Sequence, residues 1–143
     1  MDYKAILTQN GYRLSQPRKQ VIELLQTSEV ALSPQQIHQA LQQKNCELGL
    51  VSVYRTLELL TELGLVSVVY DPQRNPGYML STVGHLHHIV CQECHKAIEF
   101  SASNDIDQLV QRVEQETSFQ VLDHFLQLFG LCPDCHQKQI AGE

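Results

Sequence analysis

Four of the five cysteines fall into two CxxC pairs, Cys91-Gln92-Glu93-Cys94 and Cys132-Pro133-Asp134-Cys135, with 37 residues between them. A tight knuckle of this kind places two thiolates on one side of a metal ion, and two knuckles complete a tetrahedron, so these distant segments have to meet in the fold. Zinc fits the donor set best. Four thiolates leave no open coordination position, which makes the site structural, with a binding energy that helps fold the segment around it.

An iron–tetrathiolate site uses the same ligands, but the surroundings do not suit a small electron carrier. A redox role for either pair alone lacks a thioredoxin-type βαβ unit. The start Met1-Asp2-Tyr3-Lys4 has neither the basic residues nor the apolar core of a secretory signal. No stretch approaches the roughly 20 uncharged residues of a membrane helix. The expectation is a cytoplasmic protein with reduced cysteines and no membrane partner.

The 143 residues suffice for one large domain or two small ones, and the charge divides them. Residues 1–75 carry seven Lys/Arg against seven Asp/Glu; the remainder carries three against nine, with six of the seven histidines and four of the five cysteines. A nucleic-acid contact belongs to the first half, because neutralising phosphate needs Lys and Arg. The acidic, His-rich second half suits cations. The expected division is 1–82 and 83–143.

The first half reads as helices. Asp2 caps a short helix stopping at Gly11, and Ser15 caps a second with Pro17 in its first turn and Val21, Ile22, Leu24 and Leu25 inward. Ser33-Pro34-Gln35-Gln36 has the form of a capping box, followed by the stripe Ile37, Ala40, Leu41. A fourth helix is expected from Ser52 through Leu63 to Gly64, burying Val53, Leu57, Leu60 and Leu63 while Tyr54 and Arg55 begin its opposite face. Residues 65–70 are strand-like, 71–77 a turn, and 78–80 a returning strand. This order is that of a winged helix-turn-helix, whose last helix enters the major groove beside a hairpin. A plain helical bundle with a solvated Arg55 has the same periodicity, and the neutral net charge does not favour DNA, although Arg13, Arg18, Lys19 and Arg55 are able to cluster.

Between the knuckles, 97–100 reads as a strand and 104–117 as a helix with Ile106, Leu109, Val110 and Val113 inward. A long final strand is expected over 121–129, with apolar side chains on both faces. A small sheet so apolar needs a cover; a second copy of the chain is an economical one, with helices of the same chain as the alternative. The class is thus α+β: an N-terminal winged helix-turn-helix and a small α/β dimerisation domain with a four-cysteine zinc site.

His85 and His87 point to one side of an extended segment and His88 to the other. With Asp107 near a helix start and His124 on a strand they make a three-nitrogen, one-oxygen set that suits Zn(II), or Fe(II) or Mn(II) in an expanded shell. Spacing alone does not show that these pieces meet. Glu93, Glu99 and Asp123 read as solvated residues of strand or knuckle, and Cys46 as a small half-buried side chain.

Arg13 with Pro17-Arg18, then Gly49-Leu50-Val51-Ser52-Val53-Tyr54-Arg55-Thr56-Leu57, His85-x-His87-His88-Ile89-Val90-Cys91-x-x-Cys94, Ile98-Glu99-Phe100, and His124 ahead of Cys132-x-x-Cys135 together resemble the ferric uptake regulator family nearly end to end. The resemblance implies a homodimeric, metal-dependent transcriptional regulator, usually a repressor, bound to a double-stranded DNA operator. It implies DNA contacts from Arg13 in a minor groove and from Tyr54 and Arg55 on the recognition helix, with Arg18 and Ser52 as further candidates. It assigns structural zinc to Cys91, Cys94, Cys132 and Cys135. His85, His87, Asp107 and His124 match one of the family's metal sites, with aspartate where glutamate is common.

The hinge site, usually regarded as the family's sensor, is degraded. Its positions correspond to Ala31, Met79, Leu86 and His88, so one customary ligand survives. Ala and Leu cannot bind metal, and the thioether of Met79 suits copper better than iron or zinc. Three alternatives follow: sensing has moved to the His85 site, His88 recruits ligands such as Asp71 or Cys46 as an additional metal site, or the response is lost. The expected mechanism is an ion at His85, His87, Asp107 and His124 that ties the block after the hinge to the dimerisation sheet and favours a spacing of two winged helices that fits DNA. A zinc-ribbon partner-binding protein without DNA explains the cysteines but not Tyr54 and Arg55. A metal-dependent hydrolase lacks a nucleophile elbow or a phosphate-binding glycine loop, so no enzyme is expected.

Overall fold

The computed structural model describes residues 1–81 and 86–142. Asp2 accepts the Ala5 N–H at 3.0 Å and starts α1 (Tyr3–Gln9). Ser15 stands at the N-cap of α2 (Gln16–Gln26) without a side-chain bond. Ser33 and Gln36 form the reciprocal capping box of α3 (Pro34–Gln43). The next helix, α4 (Leu50–Glu62), starts earlier than Ser52 suggests, with Gly49 as extended N-cap, so Ser52 lies inside its first turn. Gly64, at φ +73°, turns the chain out of α4. These helices bury Leu7, Val21, Ile37, Leu41, Val53, Leu57 and Leu60 almost completely. Each such side chain contributes about 1.5–3 kcal/mol of transfer free energy.

Strands β1 (Val66–Tyr70) and β2 (Pro76–Leu80) form the hairpin. A bridge between Leu32 and Tyr78 holds β2 to the segment before α3. Glycine is required at 77, where a Cβ would come within 2.8 Å of the Ala31 Cβ. The chain divides into two units: Met1–Val68 with Pro76–Ser81, and Val69–Asn75 with Thr82–Glu143. The hairpin is therefore shared, its tip belonging to the second unit.

In that unit β3 (His87–Cys91) is central, antiparallel to β4 (Ala97–Phe100) and parallel to β5 (Gln127–Gly130). Helix α5 (Ser103–Thr117) intervenes, and α6 (Pro133–Ala141) follows. Two expectations fail here. Among the described residues the strand expected over 121–129 is formed only over Gln127–Gly130, where register pairs His88 with Gln127. Alternation without a neighbouring backbone does not make a strand. Leu109, expected inward on α5, is exposed, and Ile106 is the helix's one buried residue.

Register also sorts the faces. Glu99, His88 and Gln127 form one row across β4-β3-β5, and Ile98, Ile89 and Leu128 the next, on the opposite face. The latter three are 50%, 38% and 45% exposed.

Candidate metal centres and nucleic-acid interface

The parallel pairing of β3 with β5 sets Cys91 opposite Gly130, and the Gln92 N–H donates to the Gly130 carbonyl at 2.8 Å. Both knuckles thus emerge at the same end of the sheet. The Sγ atoms of Cys91, Cys94, Cys132 and Cys135 all lie within 4.8 Å of one another, Cys94 and Cys132 at 3.8 Å. Zinc–sulfur bonds of about 2.3 Å in a tetrahedron need sulfur–sulfur edges of about 3.8 Å, so the four residues fit the ion.

Backbone donors prepare the cage. The Cys132 N–H donates to Cys91 Sγ and the Cys135 N–H to Cys132 Sγ, each at 3.4 Å. The Cys132 amide, followed by that of Cys94, lowers the Cys91 thiol to about 6. Cys135 is pushed up to about 12, first by its hydrogen bond with the Cys132 sulfur and then by burial. Crowded sulfur stabilises one thiolate and resists the last, a conflict that a divalent cation removes by replacing the proton.

Away from the cysteines, His87 is buried, and its ring centroid lies 5.4 Å from that of His124 and 5.8 Å from that of Phe100. Two imidazoles this close suit a borderline divalent cation. His85 lies outside the described residues. Asp107 is exposed on α5, and its carboxylate does not join His87 and His124 in a set of atoms within 4.8 Å of one another; among the described residues only the four cysteines form such a group.

His88 occupies the other face, as alternation requires. It is buried with Nε2 3.7 Å from Glu99 Oε1. Burial pushes its pKa down, a fall that the Glu99 charge opposes and His87 reinforces. Glu99, expected as a solvated strand residue, is instead half-buried beside His88, a relation set by cross-strand register that a linear sequence does not contain. At the hinge positions Ala31, Met79 and Leu86 offer no nitrogen or oxygen ligand, and Ala31 packs close to the Gly77 backbone. The donor set does not fit a metal there. Cys46, in the first unit's core, donates to Gln20 Oε1 at 2.7 Å.

In the first unit α4 buries Val53, Thr56, Leu57 and Leu60, leaving Val51, Ser52, Tyr54 and Arg55 exposed at its start. The Tyr54 hydroxyl accepts from Gln35 Nε2 at 3.0 Å, which braces the ring from α3. Arg13 is exposed, whereas Arg18 is committed: its Nη1 donates to the Arg13 carbonyl at 2.7 Å and its guanidinium lies 5.6 Å from the Tyr12 ring centroid. Arg18 fixes the backbone that presents Arg13. Lys4 and Lys19 join Arg13 around a concavity of about 830 Å³ that no acidic residue lines. Lys4 is well separated from the others in sequence and carries no local signal of this.

An exposed helix start on a helix-turn-helix, joined to a sheet unit with a four-thiolate centre, defines a metal-binding protein of the winged-helix class. The Ferric uptake regulator family matches residues 9–129, and the chain belongs to that family of metal-responsive, DNA-binding repressors, which are not enzymes. The Ferric uptake regulation protein of Bacillus subtilis is 34% identical over 142 residues, covering 95% of this chain and 93% of that one. The structure of the Helicobacter pylori ferric uptake regulator, described as having three functional metal binding sites, superposes with TM-score 0.64 at 28% identity, covering 91% of this chain and 86% of that one. A zinc uptake regulator solved with zinc and DNA has TM-score 0.78 at 21% identity, covering 95% and 91%, and shows the shared fold. Nothing in these comparisons supports a zinc-ribbon protein without DNA binding. Among the described residues no helix is long and apolar enough to cross a membrane.

Proposed function

We propose that the chain is a homodimeric repressor in which Cys91, Cys94, Cys132 and Cys135 hold structural zinc, while His85, His87, Asp107 and His124 bind a regulatory Zn(II) or Fe(II), with Mn(II) as a further candidate. The observation that carries this reading is the approach of His87, on β3, to His124, which precedes β5, in the unit that holds the four cysteines. Position 107 lies in the first turns of α5. That Ala31, Met79 and Leu86 carry no nitrogen or oxygen side-chain donor supports placing the regulatory ion at the His87/His124 set.

Arg13, Ser52, Tyr54 and Arg55 contact the operator, and Arg18 supports Arg13. The exposed row Ile98, Ile89 and Leu128 suits a second copy of the chain, since an apolar sheet face of this kind is costly to leave in water. The Helicobacter pylori regulator is described as having three functional metal binding sites, and the zinc uptake regulator was solved with zinc and DNA, which supports this reading.

Binding to a duplex selected from a random pool, followed by fluorescence anisotropy with Zn(II), Fe(II) or Mn(II) and with a mild chelator that spares the structural ion, tests the reading. Affinity should rise with metal for the wild type and lose that dependence in the His87→Ala/His124→Ala variant. A variant that still responds overturns the site.

A further inference from the structure

Gln127 lies at the junction of three features. It begins β5 in register with His88, it follows His124 by three residues, and its side-chain amide grips the hairpin tip. The Tyr70 N–H donates to Gln127 Oε1 at 3.0 Å, and Gln127 Nε2 donates to the Tyr70 carbonyl at 2.6 Å. A side-chain amide that engages both backbone groups of one residue copies a strand pairing and fixes orientation as well as distance.

Two ring contacts flank this clamp. Tyr70 meets Phe125 edge to face with centroids 5.5 Å apart, and the Arg74 guanidinium lies 4.0 Å from the Phe129 centroid. Arg74 is the hairpin's one Lys or Arg. All of these residues belong to the second unit, while β1 continues covalently from Val68 of the first. The hairpin tip is therefore seated on the segment of its own unit that carries His124.

We infer that Gln127 is a positioning residue that couples the His87/His124 site to the hairpin tip, fixing Tyr70 relative to the segment that carries His124. His87 adjoins the register partner of Gln127, so an ion that fixes His87 relative to His124 fixes the backbone on which the amide is mounted. The inference rests on the regulatory site proposed above for the effector, and on the clamp alone for the contact.

Amide hydrogen exchange at Tyr70 in the zinc-structured 143-residue chain tests both parts. Gln127→Leu removes both hydrogen bonds, and Gln127→Glu keeps the acceptor but loses the donor; neither alters the backbone register of β5. Loss of both hydrogen bonds in Gln127→Leu should speed Tyr70 exchange about tenfold, Gln127→Glu, which keeps the acceptor of the Tyr70 N–H, should exchange more slowly than Gln127→Leu, and Zn(II) added beyond the structural ion should slow exchange in the wild type but not in Gln127→Leu. An unchanged Tyr70 rate in Gln127→Leu overturns the clamp. A second ion that binds without slowing Tyr70 in the wild type overturns the coupling and leaves the metal site standing. If no second ion binds, the proposed regulatory site fails instead, and Gln127→Leu still decides the clamp. Where a second ion does bind, Gln127→Leu should bring DNA affinities with and without Zn(II) to within about threefold of each other at unchanged zinc affinity; a full wild-type ratio contradicts the coupling.

Discussion

Cys91 and Gly130 are register partners at the ends of two parallel strands, so a single backbone pairing brings CxxC knuckles separated by 37 residues to one point. An ion held by the four cysteines would thus bind and close the sheet end in one event. Replacing Cys91 or Cys132 with Ser should remove one zinc per chain and much of the second unit's ordered structure, while α1 to α4 keep their helicity. Zinc content with far-UV circular dichroism checks this; a zinc-free, fully ordered variant contradicts it. The large binding energy of structural zinc sites sets the scale of the loss.

Proton release on zinc binding should show the asymmetry of the thiols. With the Cys91 thiol near 6, it is already a thiolate in metal-free protein at about pH 7.5 and has no proton to give, whereas Cys135, near 12, must lose one. Calorimetry in buffers of different ionisation enthalpy should count fewer than four protons per cysteine cage at that pH, rising as the pH falls below about 6. A full four at the higher pH contradicts the arrangement.

His88 gives the fold a pH slope. Burial holds its folded pKa below the ordinary 6.5, so below that pH the unfolded chain takes up a proton that the folded chain resists. Stability is complete above about pH 6.5 and declines as the pH falls toward the depressed value. The urea midpoint of zinc-structured protein should drop over that range, and His88→Gln should flatten the drop. An equal slope in the variant would sink this prediction.

Arg55→Ala should weaken operator binding by about 1–3 kcal/mol without changing metal content. Arg18→Ala should weaken it through Arg13, because the guanidinium holds the Arg13 carbonyl at 2.7 Å. In a double-mutant cycle Arg13 and Arg18 should then be non-additive. Additive losses would mean that Arg18 meets DNA on its own.

Gly77→Ala forces a methyl to within 2.8 Å of Ala31 Cβ. Overpacking of this kind costs about 1–3 kcal/mol, to be read as a fall in thermal midpoint, while zinc content stays constant. An unaltered midpoint shows that the Leu32–Tyr78 bridge has slack.

Much of the helical unit is legible because its signals are local. The Ser33/Gln36 box, Pro34 and the stripe Ile37, Ala40, Leu41 specify α3 within a single short segment. Gly49 is hard to recognise as a cap because glycine has no side chain to announce the role. The four thiolates are legible from spacing. Less visible is everything that depends on register: Glu99 beside His88, Gln127 in the same row, and the lack of strand pairing before Gln127. Tyr70 and Gln127 are 57 residues apart, and no periodicity in either segment anticipates an amide gripping a backbone.

Ion content and DNA affinity measured on the same sample test the metal switch most directly. With two ions per chain the protein should bind its selected duplex about a hundredfold more tightly than with the cysteine-bound ion alone, a coupling of about 2.7 kcal/mol. Equal affinity at one ion and at two would contradict a regulatory site at His87 and His124.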